Sequence, residues 1–389
     1  MWNLLMHHKY WPIALDMGTS AIRMLQFQGV GGRLAAAGSA CWKYPHEART
    51  TDPARRRELA VGAVRTMLKN GRFRGRRVVT ALATSQLCIK NFRMEVPDER
   101  KLDQIVLAEA RERFNFDVQP DQLNYLNAGQ IRQGAEVRNE IIMLAVGPDV
   151  IAEHLAMMDD MGLYVEHVDA EPVAMFRGFV RFLRRTDDEQ SVSVIVDIGM
   201  GGTRVVVARG RQIIFIKSIE IGGQKLTESV ARKLSISYEE ASDLRLKLSR
   251  EGAQAAGEAP AQAKPPEGDS MHWTIVDSLR AEVEALAREI NLCLRYCSVT
   301  FRGFRPETVT VIGGEAYDAG VMQLLAEGLG IPCVVGRPLK GIDTSSVDLG
   351  SDRRGMLTEW AICAGLSARG IDVQAMQASA EPDSDRVSA

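Results

Sequence analysis

Two short stretches limit what this chain can fold into. One is IALDMGTSAIRMLQF, residues 13–27, and the other is SVIVDIGMGGTRVVVARG, residues 193–210. In each, an apolar run ends on an acid, a turn with Gly and hydroxyl side chains follows at once, and a second apolar run begins. That pattern reads as two strands joined by a tight turn. An ordinary hairpin would use the same residues, because Asp and Gly are common in turns. The other reading is a loop that holds phosphate. Glycines let backbone N–H groups approach phosphate oxygens and permit positive φ. Thr and Ser add donors, and an Asp at a strand end can hold a hydrated Mg²⁺, which touches few carboxylates and keeps several waters. Two such turns, one in each half of the chain, favour the phosphate reading, since a facing pair would grip a phosphate chain from both sides. No GxxxxGK[ST] occurs, which excludes a P-loop.

Around these turns, strand and helix signals alternate, and that indicates an α/β architecture. Strands are expected at 13–15 and 22–27, in RRVVTAL, in EIIMLAV, in TVTVIGG, and three in a row from residue 191, with a turn at 209–212. Helices are expected at 55–69, 149–161, 224–234 and 277–297, and another opens with a capping box from Ser237 to Glu240. ERKLDQIVLAEARERF is amphipathic, with Leu102, Ile105, Val106 and Ala110 on one face. Residues 251–270, EGAQAAGEAPAQAKPPEGDS, have almost no large apolar side chain and read as a disordered insertion, as does the tail from about residue 373.

Bulk properties exclude several classes. The 389 residues are 46% hydrophobic and 25% charged, which is ordinary for a soluble chain of two or more domains. A net charge of −2 gives no large field for nucleic acid. The six cysteines show no CxxC pair and read as reduced core thiols. No run approaches a membrane span, and no signal peptide is evident. His7, His8 and His167 read as solvated or satisfied. The basic run at 72–77 reads as a solvated loop, the alternative being contact with membrane phospholipid. Trp2, Leu4, Leu5, Met6 and Trp11 form an apolar cluster compatible with packing on the body or lying on a bilayer.

Three further stretches complete a series: DAEPVAM at 169–175, IGG at 221–223 and VIGGEAY at 311–317. Each alone would pass for a tight strand-to-helix turn. In order along the chain they resemble the motifs of the actin-like ATPase superfamily: phosphate-1 (16–20), connect-1 (171–174), phosphate-2 (197–203), adenosine (312–315) and connect-2 (364–366). Sugar kinases share the opening but need an Asp base that has no convincing candidate here. Within the superfamily, residues 13–370 most resemble the PilM family of type IV pilus assembly proteins, with the cell-division ATPase FtsA as a neighbour. The closest stretch is IKSIEIGGQKLTESVARKLSISYEEASDLR. Departures are the glycine-rich second turn, Asn115-Phe116 where Ile-Pro-Phe is typical, and the insertion at 251–270.

The resemblance implies a two-lobed actin-like fold of ribonuclease H-like domains with a small extra α/β subdomain. The expected divisions are 11–87 for the first lobe, 88–168 for the subdomain, 169–190 for a return to the first lobe, 191–370 for the second lobe, and 371–389 for a tail. It implies ATP and Mg²⁺ as cofactors. Asp16 and Asp197 would position the metal through water. Gly18, Thr19, Ser20, Gly199, Gly201, Gly202 and Thr203 would contact phosphates. Gly222, Gly223 and Lys225 would lie near the ribose or phosphates, and Gly313, Gly314 and Glu315 would bracket the adenosine. Glu171 would orient an attacking water, in a slow ATPase or one that binds without turnover; as a helix N-terminal acid beside Pro172 it has an equally ordinary structural reading. The implied partner is the short N-terminal cytoplasmic peptide of a PilN-like inner-membrane protein, with pilus assembly ATPases as further partners. The implied place is cytoplasmic and peripheral at the inner membrane. A small-molecule kinase of the same superfamily, a GspL-like secretion component and a nucleotide-free interaction module are the alternatives.

Overall fold

The computed structural model describes residues 10–30, 33–45, 52–95, 101–133, 136–183, 189–255, 270–350 and 355–371. In chain order the first elements are β1 (Ile13–Met17), β2 (Ala21–Val30), β3 (Arg33–Lys43), α1 (Pro53–Asn70) and β4 (Arg77–Leu82). Then come β5 (Leu87–Glu95), α2 (Leu102–Arg113), β6 (Leu123–Gln133), β7 (Glu136–Val146), α3 (Val150–Asp160), β8 (Tyr164–Ala170) and α4 (Glu171–Val180). The rest are β9 (Val192–Ile198), β10 (Thr203–Arg209), β11 (Gln212–Ile219), α5 (Gly223–Leu234), α6 (Tyr238–Ala255), α7 (Ser270–Thr300), β12 (Val309–Ile312), α8 (Ala319–Leu329), β13 (Cys333–Val335) and α9 (Ala361–Ser367).

The chain divides into two compact units. Residues 1–83, 152–182 and 338–389 form the first, and 84–151 and 183–337 form the second. The first is built on a five-stranded sheet ordered β3-β2-β1-β4-β8, and the second on one ordered β11-β10-β9-β12-β13. The two orders are the same. In each, the first three strands form an antiparallel meander, and the next two add in parallel to its first strand. The central strands are covered on both faces and so read as continuous apolar runs: Ile13, Ala14 and Leu15, and Val194, Ile195 and Val196, are all buried.

Helices follow their apolar stripes. α1 opens with Pro53 in its first turn and buries Ala60, Ala63, Val64, Met67 and Leu68 against the first sheet. In α2, Val106 and Ala110 are buried, and Leu107 rather than Ile105 joins Leu102 at the cluster. α3 begins at Val150 because Asp149 has φ +68°, outside the helical region. α7 runs beyond the expected 277–297, since Ile275 and Val276 extend its buried stripe. The capping box is formed: Glu240 N–H donates to Ser237 Oγ (3.2 Å), and Ser237 N–H to Glu240 Oε2 (2.8 Å). Strand β3 escapes the periodicity reading because RLAAAGSACWK is rich in Ala and Gly, which have low strand propensity.

The three-stranded sheet β5-β7-β6 carries α2 on one face, over a core of Phe92, Val106, Ala110, Phe114, Ile141 and Met143. It fastens to the rest of the second unit through Glu140, which is 1% exposed. Glu140 accepts from Tyr296 Oη of α7 (2.7 Å), Arg93 Nε (2.9 Å) and Asn91 Nδ2 (3.3 Å). The Phe215 and Tyr296 rings lie 5.2 Å apart, and Gln212 Nε2 donates to Asn127 O. The expected subdomain span of 88–168 runs past this sheet into β8, which hydrogen-bonds to β4 in the first sheet. Likewise α9, expected in the second lobe, lies on β1, β2 and β4.

All six cysteines are free; Cys293, Cys297, Cys333 and Cys363 are buried, but Cys41 and Cys88 are exposed and so are not core thiols. Of the expected insertion, 251–255 complete α6, Ser270 opens α7, and 256–269 lie outside the described residues. Residues 1–9, with His7, His8 and most of the N-terminal apolar cluster, and the tail from 372 also lie outside them.

Candidate functional site

In the first unit, Asp16 is the last but one residue of β1 and is buried, with the turn of Gly18, Thr19 and Ser20 beyond it. Antiparallel register sets Arg23 of β2 directly opposite Asp16, with Nη1 4.0 Å from Oδ2. The turn is held by its carbonyls. Arg56 of α1 donates to Thr19 O (2.6 Å) and Gly18 O (3.3 Å), and stacks 4.0 Å over the Tyr44 ring. Tyr44 N–H donates to Ser20 O (3.0 Å). Among the described residues, the Thr19 and Ser20 hydroxyls donate to no protein atom. Burial acts most strongly on Arg23 and opposes its charge, but Asp16, with Cys41, Glu359 and Cys363, together outweighs it and the guanidinium pKa is raised.

Glu171, buried, is the first residue of α4. Pairing through Thr80 sets Leu15 level with Val168, so Asp16 and Glu171 lie at the same end of one sheet, two strands apart. Two residues before it, Asp169 accepts from Arg177 Nη1 (2.6 Å) and Arg369 Nη1 (3.0 Å). The two connect motifs meet where α4 crosses α9. A Cβ on Gly365 would lie 1.7 Å from Ala174 O, and one on Gly178 would lie 3.1 Å from Ala361 O.

In the second unit the device recurs in tighter form. Asp197 nearly closes β9 and is 4% exposed. Register again sets an Arg opposite: Arg204 donates through Nε (2.9 Å) and Nη2 (2.6 Å) to Asp197 Oδ2. Backbone bonds join the turn at 199–202 to the start of α5. Gly223 N–H donates to Gly199 O, and Gln224 N–H to Met200 O, each at 2.9 Å. At Gly222 the chains are so close that a Cβ would fall 2.5 Å from Gly199 O. Thr203, expected at phosphate, is instead fully buried and donates to Ile221 O (2.6 Å); its hydroxyl ties the two turns together. Gly201 and Lys225 are exposed, and among the described residues Lys225 has no acidic partner.

β12 runs parallel to β9 with Ile312 level with Asp197, which brings the third glycine turn to the same sheet end. Gly313 has φ +89°, and a Cβ there would meet Asp197 Oδ1 at 2.4 Å. Gly314 is exposed, and Glu315 abuts Gly223, whose Cβ would fall 2.2 Å from Glu315 Oε1. The second unit therefore gathers the residues expected at 197–203, 222–225 and 313–315 on one sheet end, as the first gathers those at 16–20 with Glu171.

Sequence reasoning missed the residue that braces this group. Arg245 of α6, with its side chain 8% exposed, reaches Glu315 Oε2 (2.5 Å), Asp318 Oδ2 (3.0 Å) and Thr227 Oγ1 (2.9 Å). Burial disfavours its charge, but Glu315 and Asp318 prevail and its pKa is raised. A buried Arg inside the polar helix EEASDLRLKL leaves no periodicity signal. The two hairpin arginines did leave one: Arg23 follows Asp16, and Arg204 follows Asp197, at the same spacing in D-x-G-x-x-x-x-R.

The family model described as type IV pilus assembly protein PilM matches residues 14–251, and that of cell division protein FtsA matches 194–349. Among solved structures, the chain is similar to one titled PilM-PilN type IV pilus biogenesis complex. The TM-score is 0.71 at 20% identity, over 93% of this chain and 98% of that one. It is also similar to the ethanolamine utilization protein EutJ from Carboxydothermus hydrogenoformans, with a TM-score of 0.52 at 16% identity, over 92% and 89% of the chains. At such identities the likeness carries the fold, and the fold is the actin-like α/β architecture expected from the motif order.

Proposed function

Because the chain belongs to the type IV pilus assembly protein PilM family, we propose that it is an ATP-binding scaffold of the pilus assembly platform. In this reading it docks the N-terminal cytoplasmic peptide of a PilN-like protein and is held peripherally at the inner membrane through that partner. Among the described residues, no helix is long and apolar enough to cross a membrane. A solved relative in complex with a PilN protein supports the partner. Family membership favours this reading over a sugar-type kinase or a secretion component.

The observation that carries nucleotide binding is the duplication: an Asp–Arg hairpin with a glycine turn closes the same strand of two sheets of identical order. The residues fit a nucleotide. Among the described residues, Thr19 and Ser20 offer unused hydroxyls and Lys225 an unpaired ammonium, and Gly201 and Gly314 are exposed, with open space where a Cβ on Gly314 would lie. For Mg²⁺, no cluster of three acidic, His or Cys ligands exists among the described residues, which suits an ion held by phosphate and water. Asp197 Oδ2 accepts from Arg204 (2.6 Å), whereas Arg23 Nη1 lies 4.0 Å from Asp16 Oδ2; either carboxylate would hold the metal through its waters. Glu171 remains the candidate for orienting water. Where turnover is slow, occupancy itself can bias the conformation and report to the partner.

The test is binding of a fluorescent ATP analogue with Mg²⁺, with and without a synthetic peptide of the PilN-like tail. Each ligand is expected to bind and to change the other's affinity. Nucleotide binding indifferent to the peptide would remove the gated-scaffold reading, and a folded protein that takes no nucleotide would leave an interaction module alone.

A further inference from the structure

The basic run RFRGRR, between α1 and β4, has a fixed shape. Gln26 of β2, 1% exposed, clamps it as a neighbouring strand would. Its Nε2 donates to Arg74 O (2.8 Å) and to Trp11 O (2.8 Å), and its Oε1 accepts from Arg74 N–H (2.7 Å). The half-buried Phe73 ring anchors the loop beside Gly71, where a Cβ would lie 2.5 Å from it.

What this fixed backbone presents is charge. Arg72, Arg74 and Arg76 are exposed, as is Lys69 in the last turn of α1, and among the described residues none of the four forms an ion pair. Arg77 alone is paired, with Glu166 (2.7 Å). Arg72 lines a cavity of about 510 Å³ together with Asp348, whereas Arg74 and Arg76 lie outside that lining. Beside the loop, Tyr10 is 36% exposed and bridges to Gln28, while Gln26 joins Trp11 to Arg74. An exposed aromatic one residue from the backbone that Gln26 ties to Arg74, with guanidiniums that form no ion pair among the described residues, matches the chemistry of a bilayer surface, where Tyr and Trp settle at headgroup level and Arg meets anionic lipid.

We infer that the loop at 72–76, with Tyr10, is a direct contact to anionic phospholipid bilayers. It lies where β1 and β4 begin, the sheet end opposite the turn of Gly18, Thr19 and Ser20. The five residues of β1 separate the two ends by roughly 17 Å. Bilayer contact would therefore leave the first glycine turn open. The inference takes its choice of membrane from the proposed place at the inner membrane, but its test needs neither nucleotide nor peptide.

The test is flotation of the full chain with phosphatidylcholine vesicles, with and without phosphatidylglycerol. Enrichment is expected only on the anionic vesicles, falling as salt is raised. Arg74→Gln with Arg76→Gln should weaken partitioning about 25-fold, at about fivefold for each guanidinium. Both side chains are exposed, so the melting temperature should not change; if the variant misfolds, the salt series on the unaltered protein decides alone. Equal recovery on neutral vesicles, no recovery on anionic ones, or full binding by the double variant would overturn the inference. So would retention of nucleic acid in place of vesicles. Vesicle binding without any nucleotide or peptide binding would uphold the contact while removing the scaffold reading.

Discussion

Arg204 stands across its hairpin from Asp197 and donates two hydrogen bonds to one carboxylate oxygen, at 2.9 and 2.6 Å. The pair is mostly buried, so removing one partner leaves the other charge largely uncompensated. Asp197→Ala should lower stability by about 3 kcal/mol and abolish ATP binding. Urea denaturation and a calorimetric titration check the two halves of that statement, and retained affinity would refute the second.

Arg245 holds α5, α6 and the turn at 313–318 in one network. Arg245→Ala leaves Glu315 and Asp318 facing each other without a cation. A loss of about 2–3 kcal/mol is expected, with weaker nucleotide binding even under conditions where the variant is fully folded. Arg245→Lys should recover only part of either, because an ammonium cannot reproduce the guanidinium's fork. Full recovery by Lys would show that charge alone suffices.

The α4–α9 crossing tolerates no side chain at Gly365, where a Cβ would overlap Ala174 O, but has a little room at Gly178. Gly365→Ala should therefore cost about 3 kcal/mol or more, and Gly178→Ala clearly less. Thermal melts of the two variants give the order, and a reversed order would mean that the helices can slide apart.

His154 of α3 is buried with Nε2 unpartnered, and burial pushes its pKa from 6.5 down to about 4. The unfolded chain takes up a proton that the folded chain refuses. Stability should thus fall as pH drops from 6.5 toward about 4 and level off below, by about 3 kcal/mol in all. His154→Leu should flatten that slope when urea midpoints are compared across the window. The same slope in both proteins would remove His154 from the account.

Much of the fold was legible because it follows period and turn chemistry. The strands ending at Asp16 and Asp197, the capped helix at Ser237 and the stripe of α7 all announce themselves locally. The motif order also placed the glycine turns on strand ends. What was not legible depends on contacts distant in sequence. The Ala-rich β3 becomes a strand because β2 pairs with it. β8 looks like part of an inserted subdomain until its bonds to β4 are seen. Thr203 resembles a phosphate ligand by type, and only its bond to Ile221 O shows where the hydroxyl points. Arg245 is one more charged residue on a polar helix until Glu315 and Asp318 meet it.

The Glu140 anchorage bears on how the protein can be taken apart. The segment 84–151 looks excisable, since strands of the first sheet flank it in sequence. Its buried carboxylate, however, receives the Tyr296 hydroxyl, and β11 lies along β6. Cutting it out would leave α7 and β11 with a bared aromatic pair, Phe215 and Tyr296, and that shortened chain would be prone to self-association. Its insolubility would say nothing about whether the excised sheet binds a partner; surface substitutions on the intact chain are the safer dissection.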